Sequence, residues 1–479
     1  MSWFPSPTTA RSIFYGVLIG CALSMTGASL LRYHRGRQQS EVEFGDAGMR
    51  PIEIRSDEIL DGVTGLIGNT PLVRINSLSD ALGVEILGKA EYMNPGGSVK
   101  DRVALRMIED AEQQGLLYPY TGSRIFEGTV GSTGISLATI ARAKGYDTTI
   151  IMPDDVATEK VKALEALGAE VQRVRPASIV DKKQVRCLSS YNLARERALH
   201  FTNTASDKLP LKSLSSNHAH PHALKHTNSS VVVTTATPHE SKDVKESLEE
   251  EEELQHKPRG FFADQFENRS NFDAHFSGTG PEIWRQTNGN VHAFVAGAGT
   301  GGTVAGTGQF LKSMDDDVVV AIADPDGSGL YNKVKHGVMY DRRESEGRKR
   351  RHQVDTVVEG IGINRLTVNI SLALSVIDDA FRVTDAEAVS MSRFIVQRDG
   401  LFLGSSSACN LVACVRLVQK LGWAAGERVV TILCDSGSRH YSKFWNDEYL
   451  VKAGIPVDTG IVQDMLTRPF PPMSSITKI

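Results

Sequence analysis

Short apolar runs of strand length alternate with amphipathic stretches of helical length from about residue 57 to residue 455. Such alternation predicts an α/β fold, in which parallel strands are connected by helices that cover both faces of a sheet. The pattern occurs in two blocks, which favours two twisted, mostly parallel sheets with a cleft between them. The predicted strands are residues 85–90, 124–127, 148–152, 170–174, 292–296, 318–323 and 428–433; the predicted helices are residues 99–114, 133–144, 157–167, 385–397 and 406–421, with another after Gly302.

Composition narrows the class of protein further. The 479 residues are 41% hydrophobic and 23% charged, which is the balance of a soluble globular protein with a large core. A formal net charge of −4 gives no reason to expect a nucleic-acid partner. The chain has an odd number of cysteines and no CxxC pair, which favours free thiols in a reducing compartment. They are Cys21, Cys187, Cys409, Cys414 and Cys434.

Residues 12–31 contain no charged side chain and are about as many as a helix needs to cross a bilayer. We interpret them as a transmembrane anchor, followed by a tether at residues 32–56. The basic residues after the span, such as Arg32 and Arg35, predict that the downstream chain faces the cytosol. A moderately apolar span with a basic flank is typical of anchors of the mitochondrial outer membrane; the endoplasmic reticulum is the alternative location, and a cleavable signal is the alternative interpretation.

The α/β pattern fails between residues 200 and 258, which are rich in Ser, Thr, His, Lys and Glu. Too few large apolar residues occur there to offset the entropy of ordering, so we predict a disordered surface insertion, with residues 231–235 as a candidate edge strand. Its histidines (His218, His220, His222 and His226) suggest a metal site, but solvated polar chain is the preferred interpretation and no metal is expected. The insertion separates an N-terminal half, residues 57–199 with a crossover segment at 67–90, from a C-terminal half, residues 259–455. A smaller charged insertion spans residues 342–352, and residues 456–479 form a tail.

A glycine turn places one lysine at the start of a helix in residues 94–102 (NPGGSVKDR). Ser98 is a favourable N-cap, so Lys100 falls in the first helical turn. The positive partial charge at a helix N-terminus disfavours an ammonium group and lowers the lysine pKa, and a deprotonated lysine can attack a carbonyl to form an imine. A surface lysine after a turn is the alternative.

Three further segments lie where predicted strands end. Residues 297–303 (GAGTGGT) open a helix, and their backbone amides could hold a phosphate, with hydroxyl donors from Thr300 and Thr303. Ser436 follows a buried strand at the edge where α/β sheets bind ligands. Residues 127–134 (EGTVGSTG) join a strand to a helix, and their amides could receive a carboxylate. Taken alone, the phosphate-binding segment and Ser436 each have a plain turn as the alternative interpretation.

In this order, and with residues 68–72 (GNTPL), the motifs resemble the cysteine synthase and cystathionine β-synthase family of pyridoxal-phosphate (PLP) enzymes, and most closely a fungal branch found at the mitochondrial outer membrane. The resemblance covers residues 57–455 apart from the insertion. It implies a two-domain PLP fold of type II, a homodimer, and PLP bound to Lys100 as a Schiff base.

The resemblance also implies roles for individual residues. It assigns the PLP phosphate to Gly299, Thr300, Gly301, Gly302 and Thr303, the pyridine nitrogen to Ser436, the cofactor-facing glycine to Gly360, and the substrate carboxylate to Thr129, Gly131, Thr133 and Gln265. Two residues depart from the family pattern. Val130 replaces a serine, and Ser132 replaces an asparagine that contacts the 3′ oxygen of the cofactor, which leaves the favoured reaction open.

The implied function is β-replacement, in which L-cysteine is made from O-acetyl-L-serine, or a related activated serine, and sulfide. Net β-elimination, as in a cysteine desulfhydrase or a serine dehydratase, is the alternative within the enzymes. A membrane-tethered scaffold that binds PLP without turnover is the alternative outside them.

The N-terminal segment gives a first prediction. The full chain should stay in the membrane pellet after alkaline carbonate extraction, because residues 12–31 are long and apolar enough to integrate. A matched chain that begins at residue 57 should be recovered in the supernatant. Protection of the C-terminus from protease added to intact mitochondria would contradict the predicted orientation.

Overall fold

The strands of the computed structural model form two six-stranded sheets among the residues that it describes, which are 59–154, 156–174, 190–201, 225–227, 230–232, 257–340 and 356–467. In chain order the strands are β1 (Leu72–Arg74), β2 (Glu85–Lys89), β3 (Arg124–Gly128), β4 (Asp147–Pro153), β5 (Glu170–Val174), β6 (Lys225–Thr227), β7 (Ser230–Val232), β8 (Gly260–Phe262), β9 (Ala293–Gly297), β10 (Val319–Pro325), β11 (Asp379–Val383) and β12 (Arg428–Ile432).

The strand orders are β5-β4-β3-β8-β7-β6 in the first sheet and β1-β2-β12-β9-β10-β11 in the second. Neighbours are parallel in the body of each sheet, and antiparallel pairs occur at one edge: β6, β7 and β8 in the first sheet, and β1 and β2 in the second. This arrangement confirms the expected α/β class with two mostly parallel sheets.

Helices connect the strands and pack on the sheets. They are α1 (Gly62–Gly65), α2 (Asn76–Leu82), α3 (Lys100–Gln113), α4 (Ser132–Ala143), α5 (Thr158–Ala166), α6 (Ser190–Leu199), α7 (Ser270–Ala274), α8 (Gly280–Gln286), α9 (Gly302–Met314), α10 (Leu330–His336), α11 (Val368–Leu374), α12 (Asp385–Asp399), α13 (Ser405–Leu421), α14 (Asp447–Lys452) and α15 (Gly460–Thr467), with a π-helical turn at His275–Thr279 and 3-10 turns at Glu91–Met93 and Gly437–Arg439.

The two sheets exchange segments across the insertion. β2 lies before the insertion but pairs with β12, where Leu87 opposes Val430, so the predicted crossover segment contributes to the second sheet. β8 lies after the insertion but pairs with β3, where Phe261 opposes Ile125, so it contributes to the first. The predicted boundary at residue 259 therefore does not coincide with a change of sheet, because Phe261 and Phe262 are buried in the core of the first sheet.

The largest core cluster lies around the second sheet and is centred on α13. That helix is buried along most of its length, including the free thiols of Cys409 and Cys414. Val462 of α15 is also fully buried in this cluster, and Met465 packs against it. Part of the predicted tail is thus a packed helix, because its apolar residues cover the face of α12.

The predicted strands and helices agree with the structure to within two residues at each end. The segments that the sequence pattern missed are mostly short, such as β1, β8 and α11, or lie at a sheet edge, such as β11. Strands and helices of this length are specified mainly by the surfaces on which they pack.

Several predicted segments lie outside the described residues: the anchor at residues 12–31, the tether at 32–56, most of the insertion, and the whole charged segment at 342–352. Within the insertion, β7 pairs antiparallel with β8 close to the predicted strand at residues 231–235, but β6 pairs on its other side and forms the edge of the sheet. Among the residues that the structure describes, no helix has the length and apolar character to cross a bilayer.

Candidate active site around Lys100

The lysine predicted from the glycine turn is the first residue of α3. Gly97 adopts a left-handed conformation with φ of 76°, and Gly96 donates its amide to Asp101 Oδ2 at 2.5 Å. A side chain at Gly96 would collide with that carboxylate, so the turn requires both glycines. Ser98 is not the N-cap that we predicted, because Val99 occupies the position before the helix; the Ser98 Oγ instead accepts from the Lys100 amide at 3.3 Å.

The Lys100 side chain is half-buried, and the pKa of its amine is lowered. Burial lowers the pKa of Lys100 to about 8, and the neighbouring Cys434 opposes the shift only in part. The direction agrees with the prediction, but loss of solvation is the cause that the structure identifies. At pH 7 roughly one amine in ten is therefore neutral, against roughly one in three thousand for a lysine with the ordinary pKa.

The loop of residues 297–303, which we call the phosphate loop, lies between β9 and α9. Gly301 has φ of 94°, and α9 starts at Gly302, so the amides of the first helical turn have no acceptor within the helix. Added side chains at Gly299 and Gly302 would collide with the Gly360 carbonyl oxygen and with the Asn271 side chain. Glycine is thus needed for close packing as well as for the bend, and the loop presents donors suited to a phosphate.

A continuous path of hydrogen bonds joins the predicted substrate residues to the lysine. Thr133 Oγ1 donates to Gln265 Oε1 at 2.6 Å, and Asn271 Nδ2 donates both to the Gln265 carbonyl and to Thr300 Oγ1, each at 2.8 Å. Lys100 Nζ donates to the same Thr300 Oγ1 at 3.2 Å. The substrate loop (residues 127–134), the phosphate loop and the lysine therefore meet at one place, as the motifs predicted.

The turn that carries Ser436 lies against the glycine turn before Lys100. The Val99 amide donates to the Cys434 carbonyl at 3.1 Å, and Ser98 forms a bridge with Asp435. Ser436 Oγ accepts from the amide and hydroxyl of Ser438, so its own proton remains available for donation.

Ser132 begins α4, and its hydroxyl faces a guanidinium group. Arg439 Nη1 donates to Ser132 Oγ at 3.4 Å, and the same guanidinium contacts the position of Gly97. Arg439 thereby connects the Ser436 turn to both the substrate loop and the glycine turn. The remaining predicted residues lie beside these: Thr129 Oγ1 accepts from the Gly131 amide at 3.4 Å, and Gly360 has φ of 87°.

A neutral histidine supports the phosphate loop from behind. His275 is fully buried in the π-helical turn, with Nε2 3.1 Å from Thr303 Oγ1 and Nδ1 2.9 Å from Thr279 Oγ1. Burial, together with the charges of Lys100 and Arg102, lowers the pKa of His275 well below its usual value. The imidazole therefore orients Thr303 without adding a charge.

A buried cluster of four charges holds the start of α3 in place. Arg102 donates Nε to Glu91 at 2.7 Å and Nη1 to Glu282 at 2.6 Å, and Lys89 lies 2.6 Å from the second oxygen of Glu282. Burial alone would raise the pKa of Glu282, but Arg102 and Lys89 hold it at about 2. The residues before the lysine motif join this cluster, since the Asn69 amide donates to Glu282 at 2.9 Å.

Sequence reasoning missed Asn271, His275, Arg439 and the charge cluster. Asn271 and His275 lie four residues apart in a helical segment and are both fully buried. Buried polar residues at helical spacing soon after Gln265 were the available signal, although the sequence alone does not show burial. Arg439 lies 307 residues from the serine that it contacts, and no local pattern marks such a pair.

A sequence model of pyridoxal-phosphate dependent enzymes matches residues 63–213 and 215–435, and the chain belongs to that family. "Cysteine synthase 2" of Schizosaccharomyces pombe is 51% identical over 399 residues, 83% of this chain and 87% of the relative. A Saccharomyces cerevisiae protein whose name includes the words mitochondrial cysteine synthase is 44% identical over 388 residues, 81% of this chain and 84% of the relative. Rat "Cystathionine beta-synthase" is 33% identical over 405 residues, 84% of this chain and 58% of the relative.

The geometry of the site fits the cofactor of this family. The half-buried amine of Lys100 has a lowered pKa, glycines line the phosphate loop where side chains would collide, and Ser436 retains a hydroxyl proton to donate. The amine suits the carbonyl carbon of PLP, the phosphate loop suits its phosphate, and the Ser436 hydroxyl suits its ring nitrogen.

The charge cluster gives a second prediction. Arg102→Met should lower the free energy of unfolding by about 3–5 kcal/mol, because it leaves Glu91 buried without its paired cation and Glu282 with Lys89 alone. Arg106→Met is the matched control on the same helix. Its ion pair with Asp110 is partly exposed, so the loss should stay below about 1 kcal/mol. Urea unfolding followed by circular dichroism measures both, and equal midpoints would contradict a central role for the cluster.

Proposed function

We propose that this chain is a cysteine synthase that converts O-acetyl-L-serine, or a related activated serine, and sulfide into L-cysteine and acetate or the corresponding leaving group. The observation that carries the proposal is the hydrogen-bond path from Thr133 through Gln265, Asn271 and Thr300 to Lys100. It joins a carboxylate-binding loop, a phosphate-binding loop and a nucleophilic amine. The named activities of the relatives support the same reaction.

In this proposal the cofactor is held at three points. Lys100 binds it covalently, the amides of Gly299 to Thr303 receive the phosphate, and Ser436 donates to the ring nitrogen. A hydroxyl at that position leaves the nitrogen unprotonated, whereas a carboxylate would favour protonation. Gly360 leaves room beside the cofactor, since nothing lies within 4 Å of a side chain added there. When bound, PLP supplies the electron sink for the reaction.

The substrate loop orients the amino acid. The amides of Gly131 and Thr133 lie at the start of α4, where the helix dipole favours a carboxylate. The Thr129 hydroxyl and the Gln265 amide border the same loop. Fixing the carboxylate in this way would aim the α-hydrogen of the substrate at Lys100.

Lys100 is suited to carry the proton that leaves the α-carbon. An amine with a pKa of about 8 can accept a proton near neutral pH and release it again, because both protonation states are populated. Thr300 Oγ1 fixes the position of the amine. The same residue thus has two roles in the proposal, as covalent anchor and as proton carrier.

We also propose a location and an oligomeric state for the enzyme. Residues 12–31 anchor the enzyme in the mitochondrial outer membrane with the catalytic part facing the cytosol, which the basic flank of the span and the name of the Saccharomyces cerevisiae relative support. The enzyme acts as a homodimer, as its family resemblance implies.

The third prediction tests the anchor residue. Lys100→Ala should abolish the visible absorbance of the covalently bound cofactor, because it removes the amine that borders the phosphate loop. Cysteine formation should fall by at least about a thousandfold. Lys452→Ala, which changes an exposed lysine at the end of α14, is the control and should retain both properties. A band that survives in Lys100→Ala, or a wild-type protein that binds no PLP, would overturn the assignment and leave the scaffold hypothesis.

A fourth prediction concerns the balance between replacement and elimination. Ser132 Oγ accepts a hydrogen bond from Arg439 and keeps its own proton, but its side chain is shorter than an asparagine amide and so reaches less far towards the cofactor. Ser132→Asn should shift the ratio of cysteine formed to pyruvate released by about threefold or more, and should move the absorbance maximum of the bound cofactor. Both products can be measured from the same reaction. An unchanged ratio and spectrum would mean that the serine has no effect on the chemistry.

A further inference from the structure

An ion pair joins the two sheets beside the candidate site. Lys160 lies in α5, directly after β4 of the first sheet, and its amine pairs with the Glu359 carboxylate. Glu359 belongs to a segment that packs on the second sheet, since the neighbouring Val357 and Val358 are part of its core. The Glu359 amide donates to Ser405 Oγ at 3.1 Å, which fixes that segment to the start of α13.

The aliphatic part of Lys160 supports the substrate loop. The side chain is only 3% exposed, and a side chain added at Gly131 would collide with its methylene groups. Gly131 has φ of 140°, a backbone conformation reserved in practice for glycine. The Gly131 backbone therefore rests directly on the lysine stem.

The carboxylate of Glu359 lies among positive and polar groups. Lys443 Nζ is 3.5 Å away and His440 Nδ1 is 3.9 Å away, while the opposite nitrogen of His440 is 3.0 Å from Asp435. Burial by itself would raise the pKa of Glu359, but Lys160 and its other neighbours lower it on balance. The carboxylate is thus ionised, and Lys160 is its closest partner.

The residue after Glu359 reaches the phosphate loop. The Gly360 carbonyl oxygen packs so closely on Gly299 that a side chain there would overlap it. Contacts therefore run without interruption from Gly131 to Lys160, from Lys160 to Glu359, and from Gly360 to Gly299. A second link crosses at the same turn of α5, where Glu159 Oε1 accepts from the Ser442 amide at 3.0 Å and from its hydroxyl at 3.1 Å.

We propose that Lys160 and Glu359 are positioning residues that form an ionic clasp between the substrate loop and the phosphate loop. The clasp sets the distance between the group that holds the substrate carboxylate and the group that holds the cofactor phosphate. It therefore governs affinity for the amino-acid substrate, while the cofactor keeps its own contacts. This inference rests on the proposed function, because it assigns the carboxylate to the substrate loop.

The alternative is an ion pair that contributes only to stability. The two accounts differ in what happens when both charges are removed together. A purely structural pair can be replaced by neutral groups of similar shape without loss, since no unpaired charge remains buried. A clasp cannot be replaced by neutral groups without loss. The protein still folds, but the attraction between the two loops is removed.

Four variants separate these accounts. Lys160→Met keeps the stem under Gly131 and removes the charge; Lys160→Arg keeps the charge; Lys160→Met with Glu359→Gln removes both charges. Lys162→Met, on an exposed lysine of the same helix, is the matched control. Each protein is measured for cofactor absorbance, for the dissociation constant of L-serine from the change in that absorbance without sulfide, and for KM and kcat with O-acetyl-L-serine.

We expect Lys160→Met and the double variant to bind cofactor fully, to raise the dissociation constant and KM about tenfold, and to change kcat by less than about twofold. A tenfold change corresponds to about 1.4 kcal/mol. Lys160→Arg and Lys162→Met should stay within about twofold of the wild type.

Wild-type affinity in the double variant would overturn the clasp and leave a structural pair, even if Lys160→Met alone proved too unstable to measure. Wild-type affinity in a folded Lys160→Met would overturn it as well. In both cases the wild-type protein still binds cofactor and turns over, so the proposed function stands. A wild-type protein without a cofactor band overturns the proposed function and the clasp together.

Discussion

The position of Lys100 depends on the buried charges two residues further along α3. Arg102 is held between Glu91, which follows β2, and Glu282, which begins α8, and Lys89 completes the neutral cluster. Buried charges are tolerated only when they are paired with opposite charges, because an unpaired charge would lose its hydration without compensation. Thr70 joins them by donating to Glu91 at 2.7 Å. Glu282 lies 180 residues beyond Arg102, so a distant segment must reach the start of α3 before the lysine can point into the site.

Glycine has two roles in each loop of the site. Gly97 and Gly301 supply backbone conformations that other residues adopt at a cost, whereas Gly96, Gly299 and Gly302 permit contacts that a side chain would prevent. The tight packing fixes the loops without large side chains in the cleft. The hydroxyls of Thr300, Thr303 and Ser436 lie among these glycines and supply directional hydrogen bonds.

Periodic features of the sequence predicted much of this arrangement. Strands such as β4 and helices such as α13 are long enough for their apolar pattern to specify them, and Lys100 and the phosphate loop follow from local turn chemistry. The contacts between Asn271 and Thr300, or between Lys160 and Glu359, join side chains from distant parts of the chain. No periodic pattern in the sequence marks such pairs, because the two side chains come together only after the sheets have formed. The crossover segment that contains β2 was predicted, but the pairing of β8 with the first sheet was not, for the same reason.

The exchange of strands also determines when the active site can form during synthesis. β2 precedes the lysine by about a dozen residues, yet its partner strand β12 lies more than three hundred residues later. Pairing over that separation is slow, and on the ribosome it must wait until nearly the whole chain has emerged. The first sheet lacks only β8 from beyond the insertion and can assemble much earlier. A partly synthesised chain thus contains the lysine but not the surface that orients it. The cofactor can therefore bind only to the completed enzyme.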